Sequence, residues 1–239
     1  MKFELTTEAE QIGDIKLFRI KALISFGDVA IGDIGGYIEK EKNLSQTGEA
    51  WVYDSAQVYG EAEVFDKAWV YGEARVSGKA RVYGEARVYG EAQVYGEARV
   101  YGEAQVYGEA QVYGEAGVFD KARVYGEAWV SGKARVSGKA RVYGKARVYG
   151  EAEVYDKARV YGEARVYGEA RVSGNCINIQ GRWNITIMDG HIRIGCELHT
   201  IKQWFSYRDS RISKMDPSAL DWWLRNRKWL KLLCETRAE

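Results

Sequence analysis

Histidine is almost missing from this chain: only His191 and His199 occur in 239 residues. That count excludes a catalytic zinc site built from three histidines. Cysteine is scarce and odd in number (Cys176, Cys196 and Cys234), so the thiols are read as reduced rather than as a disulfide framework. No run of about 18 apolar residues is present to span a bilayer, and the opening Met1-Lys2-Phe3-Glu4-Leu5 has no apolar signal segment. The expectation is a soluble protein made in the cytoplasm, with no membrane partner. Neither sign of charge is in excess: 35 Lys and Arg against 34 Asp and Glu give a net +1. Global basicity of the nucleic-acid-binding kind and the acidity of a DNA mimic are both excluded.

What fills the chain instead is one six-residue word, Val-Tyr-Gly-Glu-Ala-Arg with small variations, running from Val52 to Val172 without insertion or deletion. Valine opens each of 21 hexads, and the fourth residue after it is Ala every time except the last, where Cys176 stands. Val and Ala are therefore the inward residues of a short strand whose side chains alternate, and the next two residues form a corner. The corner is Gly in 17 hexads and Asp in four (Asp54, Asp66, Asp120, Asp156), both types that accept positive φ. A helix is excluded, because a Gly every sixth residue costs about 1 kcal/mol each and six is no helical period. Equal strands joined by equal corners close as a triangle of three hexads, so the array predicts about seven regular coils of a parallel β-solenoid, roughly 34 Å tall.

The hexad rule fails at both ends. Residues 1–46 carry an alternating strand pattern at Ile15–Ile20 and a glycine cluster at Gly32, Gly35 and Gly36. Ile38 and Leu44 already stand six apart, and Val52 follows eight later, so this segment reads as an N-terminal β cap ending in an irregular first coil. The solenoid proper is 47–176, and 177–239 is a C-terminal module. That module has strand-like stretches at 177–179, 184–187 and 191–194, a capping box at Thr200 and Gln203, and a helix over 217–235 opened by Asp216 and Pro217. Leu220, Trp223, Leu224, Leu230 and Cys234 lie near one helical stripe, widened by Trp222 and Trp229. An open coil end exposes strand edges and must be covered, and this aromatic segment suits that task or a partner groove.

Read at the 18-residue coil spacing, the outward side chains fall into columns. The first face has an unbroken tyrosine column (Tyr53, Tyr71, Tyr89, Tyr107, Tyr125, Tyr143, Tyr161), with Trp51 and Trp69 one coil apart beside it. Serine interrupts the same column on the other faces, at Ser77 and Ser131 and at Ser137 and Ser173. The first face is thus the candidate contact surface, against the plainer reading that aromatics in register stabilise neighbouring strands by about 0.2–1 kcal/mol per pair. A second candidate surface is the C-terminal end, with Trp204, Trp222, Trp223 and Trp229. Arg beside Tyr could hold single-stranded nucleic acid, but Glu occupies most corners and repels phosphate, so a solvated, self-compensating face is expected. Lys67, Lys121, Lys139 and Lys157 mark the third face, three of them next to Asp66, Asp120 and Asp156.

Reactive chemistry has one foothold, Cys196 with His199 and nearby His191. As a nucleophile and base, or as a zinc site with Cys176 or Cys234, it lacks the spacing that makes either reading specific. A Val and Ala interior is too narrow for a ligand cavity. No catalytic residue, metal or cofactor is assigned.

The words Gly35-Gly36-Tyr37-Ile38-Glu39, Asn43-Leu44-Ser45 and Trp51-Val52-Tyr53 resemble the opening of bacterial and bacteriophage hexapeptide-repeat proteins of uncharacterised function. The stretches Ile194-Gly195-Cys196, His199-Thr200-Ile201 and Trp204 are similar to the Trp-rich module that follows such arrays in phage and prophage sequences. The resemblance implies an all-β, left-handed triangular parallel β-helix with an N-terminal β cap and a C-terminal helical cap, in the host cytoplasm or a virion. Hexapeptide acyltransferases rely on a histidine base in or near the coils and often on a projecting loop, and this array has neither. The expected function is therefore a non-enzymatic scaffold or binding protein, engaging a protein partner or a second copy of itself. The alternatives are a phage inhibitor that sequesters a host defence protein or nucleotide signal, and a degenerate acyltransferase.

Overall fold

The computed structural model describes residues 1–174, 177–179, 182–188 and 190–235. The chain divides into two compact units, Met1–Asn175 and Cys176–Glu239. The first begins with three strands, β1 (Phe3–Ile12), β2 (Ile15–Ala22) and β3 (Ile34–Ile38). Twenty-one short strands follow, β4 (Trp51–Val52) to β24 (Arg171–Val172), one per hexad.

Every third strand pairs in parallel. Trp51 lies beside Trp69 and Val52 beside Val70, Arg87 beside Gln105, and Val130 beside Val148. One coil is therefore 18 residues, and the 21 strands distribute as seven on each of three sheets. Backbone N–H groups of one coil donate to carbonyls of the next, as from Gln93 to Ala110 and from Tyr95 to Val112 at 2.9 and 3.0 Å. Inside, Val and Ala of every hexad are buried, with no more than 3% exposure from Ala50 to Val172. Each buried Val contributes about 1.5–2 kcal/mol of transfer free energy, and the Ala opposite keeps the interior closed.

The corners explain why the word tolerates only two residue types. Gly84 has φ +70°, and a Cβ there would sit 2.9 Å from the Gly102 nitrogen one coil on. Stacked corners are thus held close as well as left-handed. The four aspartates adopt φ between 52° and 61°, and three of them accept a hydrogen bond from the corner one coil on: Gly72 N–H to Asp54, Gly84 N–H to Asp66 and Gly138 N–H to Asp120, at 3.1–3.2 Å. Asp thereby recovers in hydrogen bonding part of what its Cβ costs in backbone strain.

At the N-terminal side, β1 pairs antiparallel with β2 and β2 with β3, while β3 runs parallel to β5 (Gln57–Val58). The second sheet is so extended to ten strands. Ile38 pairs with Val58 and Leu44 bridges Val64, which makes an eighth, irregular coil two residues longer than the rest. Its extra residues fall between Leu44 and Val52. Asn43 is buried in this coil, donating to the Gly60 and Ala62 carbonyls and accepting from Lys40 N–H. Gly35 is required by proximity, since a Cβ would lie 2.5 Å from the Val52 carbonyl and 2.8 Å from the Trp51 ring. The strand β1 lies within the expected β cap, but it carries no clear alternation that would set its bounds.

The second unit is an antiparallel sheet, β25 (Ile177–Ile179), β26 (Ile185–Met188), β27 (His191–Ile194) and β28 (Glu197–Thr200), in that order. Three helices follow: α1 (Ile201–Ser206), α2 (Asp209–Ile212) and α3 (Ala219–Glu235). The Thr200 and Gln203 capping box is formed, with bonds of 3.0 and 2.9 Å. Helix α3 starts two residues later than expected, because the Asp216 carboxylate binds the Ser218 N–H and hydroxyl in a turn of its own. Hydrogen bonding to Ser218 also lowers the Asp216 pKa. Ile185, Ile187, Ile192 and Trp204 form the core with Trp223, Leu230 and Cys234 of α3.

Candidate functional site

The first-face column is a stack of parallel rings. Tyr71, Tyr89, Tyr107, Tyr125 and Tyr143 follow one another at 4.7–5.0 Å between centroids and within 4° of parallel. Tyr161 closes the stack at 5.4 Å and 15°. The strand spacing imposes this distance on rings that recur at the same place in successive coils. Partial burial within the stack pushes the phenol pKa values of Tyr71, Tyr89, Tyr107 and Tyr125 up. Tyr53 departs from the column and meets Trp69 edge-on at 5.9 Å. Arg87 lies over the other ring, 4.9 Å from the Trp69 centroid.

Two expectations about tryptophan are corrected. Trp51 is the register partner of Trp69 but is no part of an outer surface. It is 1% exposed, enclosed edge-on by Phe3 at 6.2 Å and Phe26 at 5.4 Å. The first hexad has no regular coil before it, so the cap folds over its outward residue. Lys2 joins the same enclosure, donating to the Ala50 carbonyl at 2.8 Å and lying 4.9 Å from the Phe26 ring centre. Burial lowers its pKa to about 8. Trp204 and Trp223, expected on a contact surface, are each 3% exposed and form the core of the second unit. The Trp204 indole N–H donates to the Ile192 carbonyl at 2.7 Å. Trp222 is half-buried against Trp183, and Trp229 is exposed.

His199 is accounted for by packing: its Nε2 is 2.8 Å from a Glu197 oxygen, and its ring meets Trp204 and Tyr207 edge-on. Cys196 sits in the turn before β28, off the strand that carries His199. Cys176 lies outside the described residues. Among the described residues, no group of three His, Cys, Asp or Glu is placed to hold a metal ion, and no helix is long and apolar enough to cross a membrane.

A second ladder stands outside both candidate surfaces. Phe65, Tyr83, Tyr101 and Phe119 stack on the third face at 4.8–4.9 Å, and the 18-residue spacing was the signal for it. On the second face Tyr95 stacks with Tyr113 and Tyr149 with Tyr167. Charge at the corners is compensated between coils by pairs such as Lys79 with Glu97 and Lys121 with Glu103, both at 3.1 Å. Such exposed pairs contribute about 0–1 kcal/mol each.

The family model described as YdcK beta solenoid repeat matches residues 92–108, 134–150 and 164–178. The chain is a β-solenoid repeat protein. Those stretches are similar to the YdcK repeat and lie inside the array of 18-residue coils. No curated protein matches the chain.

Proposed function

We propose that the protein is a non-enzymatic β-solenoid scaffold that binds through its outer aromatic face, associating with a second copy of itself or with a protein partner. The observation that carries this reading is the unbroken stack from Tyr71 to Tyr161, a continuous aromatic strip on a rigid backbone. An interior of Val and Ala leaves no room for a substrate, so contact falls to the surface. Seven array strands on each of three sheets and the hexapeptide resemblance support coils that are triangular and left-handed. Resemblance at both ends supports a phage or prophage setting.

The strip's size sets the strength of association. Six coils at 4.8 Å by four extended residues give a face of about 29 by 13 Å, or on the order of 400 Å². A standard interface buries about 800 Å² per partner, so one face gives weak, concentration-dependent association. Light scattering across a concentration series tests this, with Tyr89→Ser and Tyr107→Ser combined. The mass of the unaltered chain rises with concentration and that of the variant does not. A chain that is monomeric throughout, or an oligomer indifferent to the substitutions, rejects the reading.

A further inference from the structure

Three departures from the hexad word meet on the third face. Ser137 replaces a ring between Phe119 and Tyr155, leaving a groove of about 540 Å³ lined by these residues with Arg135, Arg171 and Asp156. Gly117 is the array's one strand whose outward first residue has no side chain. It opens a second hollow of about 330 Å³ that shares Phe119 and Arg135 with the first. At the adjoining corner stand Lys139 and Lys157, one coil apart.

The serine gap has the dimensions of one ring. Along this column Tyr83, Tyr101 and Phe119 are spaced at 4.9 Å, one ring per coil. With Ser137 in place of a ring, Phe119 and Tyr155 are two coils apart, roughly 9.6 Å, the height that two ring-to-ring contacts require. The upper face of Phe119, which a ring covers elsewhere, is here covered by the exposed Arg135 guanidinium, 5.2 Å from the centroid. That flexible side chain can swing to the edge of an incoming ring.

The lysines single out this gap among the three that have a ring on both sides. Each of Ser77, Ser131 and Ser137 is followed by Gly and Lys. At the first two, the lysine pairs with the glutamate one coil on: Lys79 with Glu97 at 3.1 Å and Lys133 with Glu151 at 3.9 Å. Lys67, Lys121 and Lys145 have glutamate partners too. Among the described residues no ion pair joins Lys139 or Lys157 to any carboxylate, Asp120 and Asp156 included. In the column they stack with Lys121, like charge on like charge, an arrangement that the fold avoids at its other corner lysines.

We propose that the Ser137 gap is a recognition slot for a single tyrosine-like side chain on an acidic segment of a partner protein, whose carboxylate pairs with Lys139 and Lys157. The fold's own Tyr-Gly-Glu corner has the complementary spacing, ring and carboxylate two residues apart. The spacing of charge favours a peptide over a nucleic-acid strand: Glu153 is held by Arg171 at 3.4 Å and Asp120 by Gly138 N–H, and Asp156 repels a strand's successive phosphates more than a single carboxylate placed at the lysines. This rests on the scaffold reading but uses a different face, so its failure and that of first-face association are separately visible.

The test is calorimetry of the full chain with a capped synthetic peptide, Gly-Glu-Tyr-Gly-Glu-Gly. Saturable binding with a Kd of about 1 mM is expected from one doubly stacked ring and a charge pair. Ser137→Tyr rebuilds the ladder, keeps the fold and abolishes binding. Lys139→Glu and Lys157→Glu each weaken it roughly fivefold, and Ser77→Tyr leaves it unchanged. Alanine in place of the peptide's tyrosine removes binding. No binding to the unaltered chain, binding that survives Ser137→Tyr, or equal loss from Ser77→Tyr overturns the proposal. Tighter binding of adenosine monophosphate than of the peptide overturns the ligand class, and self-association lost in Ser137→Tyr would assign the slot to a second copy.

Discussion

Substituting one corner glycine by alanine separates the two reasons for its presence. Gly84 and Gly168 have nearly the same backbone, φ +70° and +66°, in the same hexad word. They differ in what lies beyond. A Cβ at Gly84 would meet the Gly102 nitrogen at 2.9 Å and carbonyl at 3.1 Å, whereas at Gly168 nothing lies within 4 Å. Alanine in the left-handed region costs about 1–2 kcal/mol at either site. At Gly84 the backbone of the next coil must also shift, and overpacking of that kind adds about 1–3 kcal/mol. Gly84→Ala is therefore expected to destabilise by about 2–5 kcal/mol and Gly168→Ala by about 1–2. Urea unfolding followed by far-ultraviolet circular dichroism measures both, with an unchanged m-value licensing the comparison. Equal shifts in midpoint would refute the stacked-corner account, since only conformational strain would then be at work.

Two further outcomes are expected. Lys2 binds fewer protons folded than unfolded between about pH 8 and its ordinary value of 10.5, so its burial cost is relieved and stability rises with pH across that window. The raised phenols act oppositely: their stabilisation is complete below pH 10 and is lost as pH climbs through their folded values. Thermal melts from pH 7 to 11 therefore rise and then fall for the unaltered chain, and Lys2→Met removes the rise. Separately, Trp204→Phe strands the buried Ile192 carbonyl and costs about 1–3 kcal/mol. Amide exchange should quicken in β26 and β27 while the array's amides stay protected; acceleration in both would mean that the units do not hold their stability separately.

The array was legible because its periodicity is so strict. Inward Val and Ala, the positive φ at Gly and Asp, the 18-residue coil and the tyrosine column all follow from counting by six and then by three. The burial of Trp51 is not legible for the complementary reason: its neighbours Phe3 and Phe26 belong to a segment without periodicity, and nothing local says that they return to cover it. The same holds for Lys2 and for β1. In the second unit the tryptophan stripe of α3 was visible, but the sheet against which Trp204 and Trp223 pack is set by pairings that the sequence does not announce. The Ser137 groove lay between these cases. Its serine and lysines were each readable, and their meaning came only from the ion pairs present at Ser77 and Ser131 and missing at Ser137.

Tyrosine modification with a nitrating reagent, mapped by mass spectrometry at low and high protein concentration, tests the central claim most directly. If the first face is the surface of association, Tyr89, Tyr107 and Tyr125 become protected as concentration rises, while Tyr83 and Tyr101 of the third face react equally at both concentrations. Uniform reactivity of the two columns, or protection on the third face alone, would contradict it.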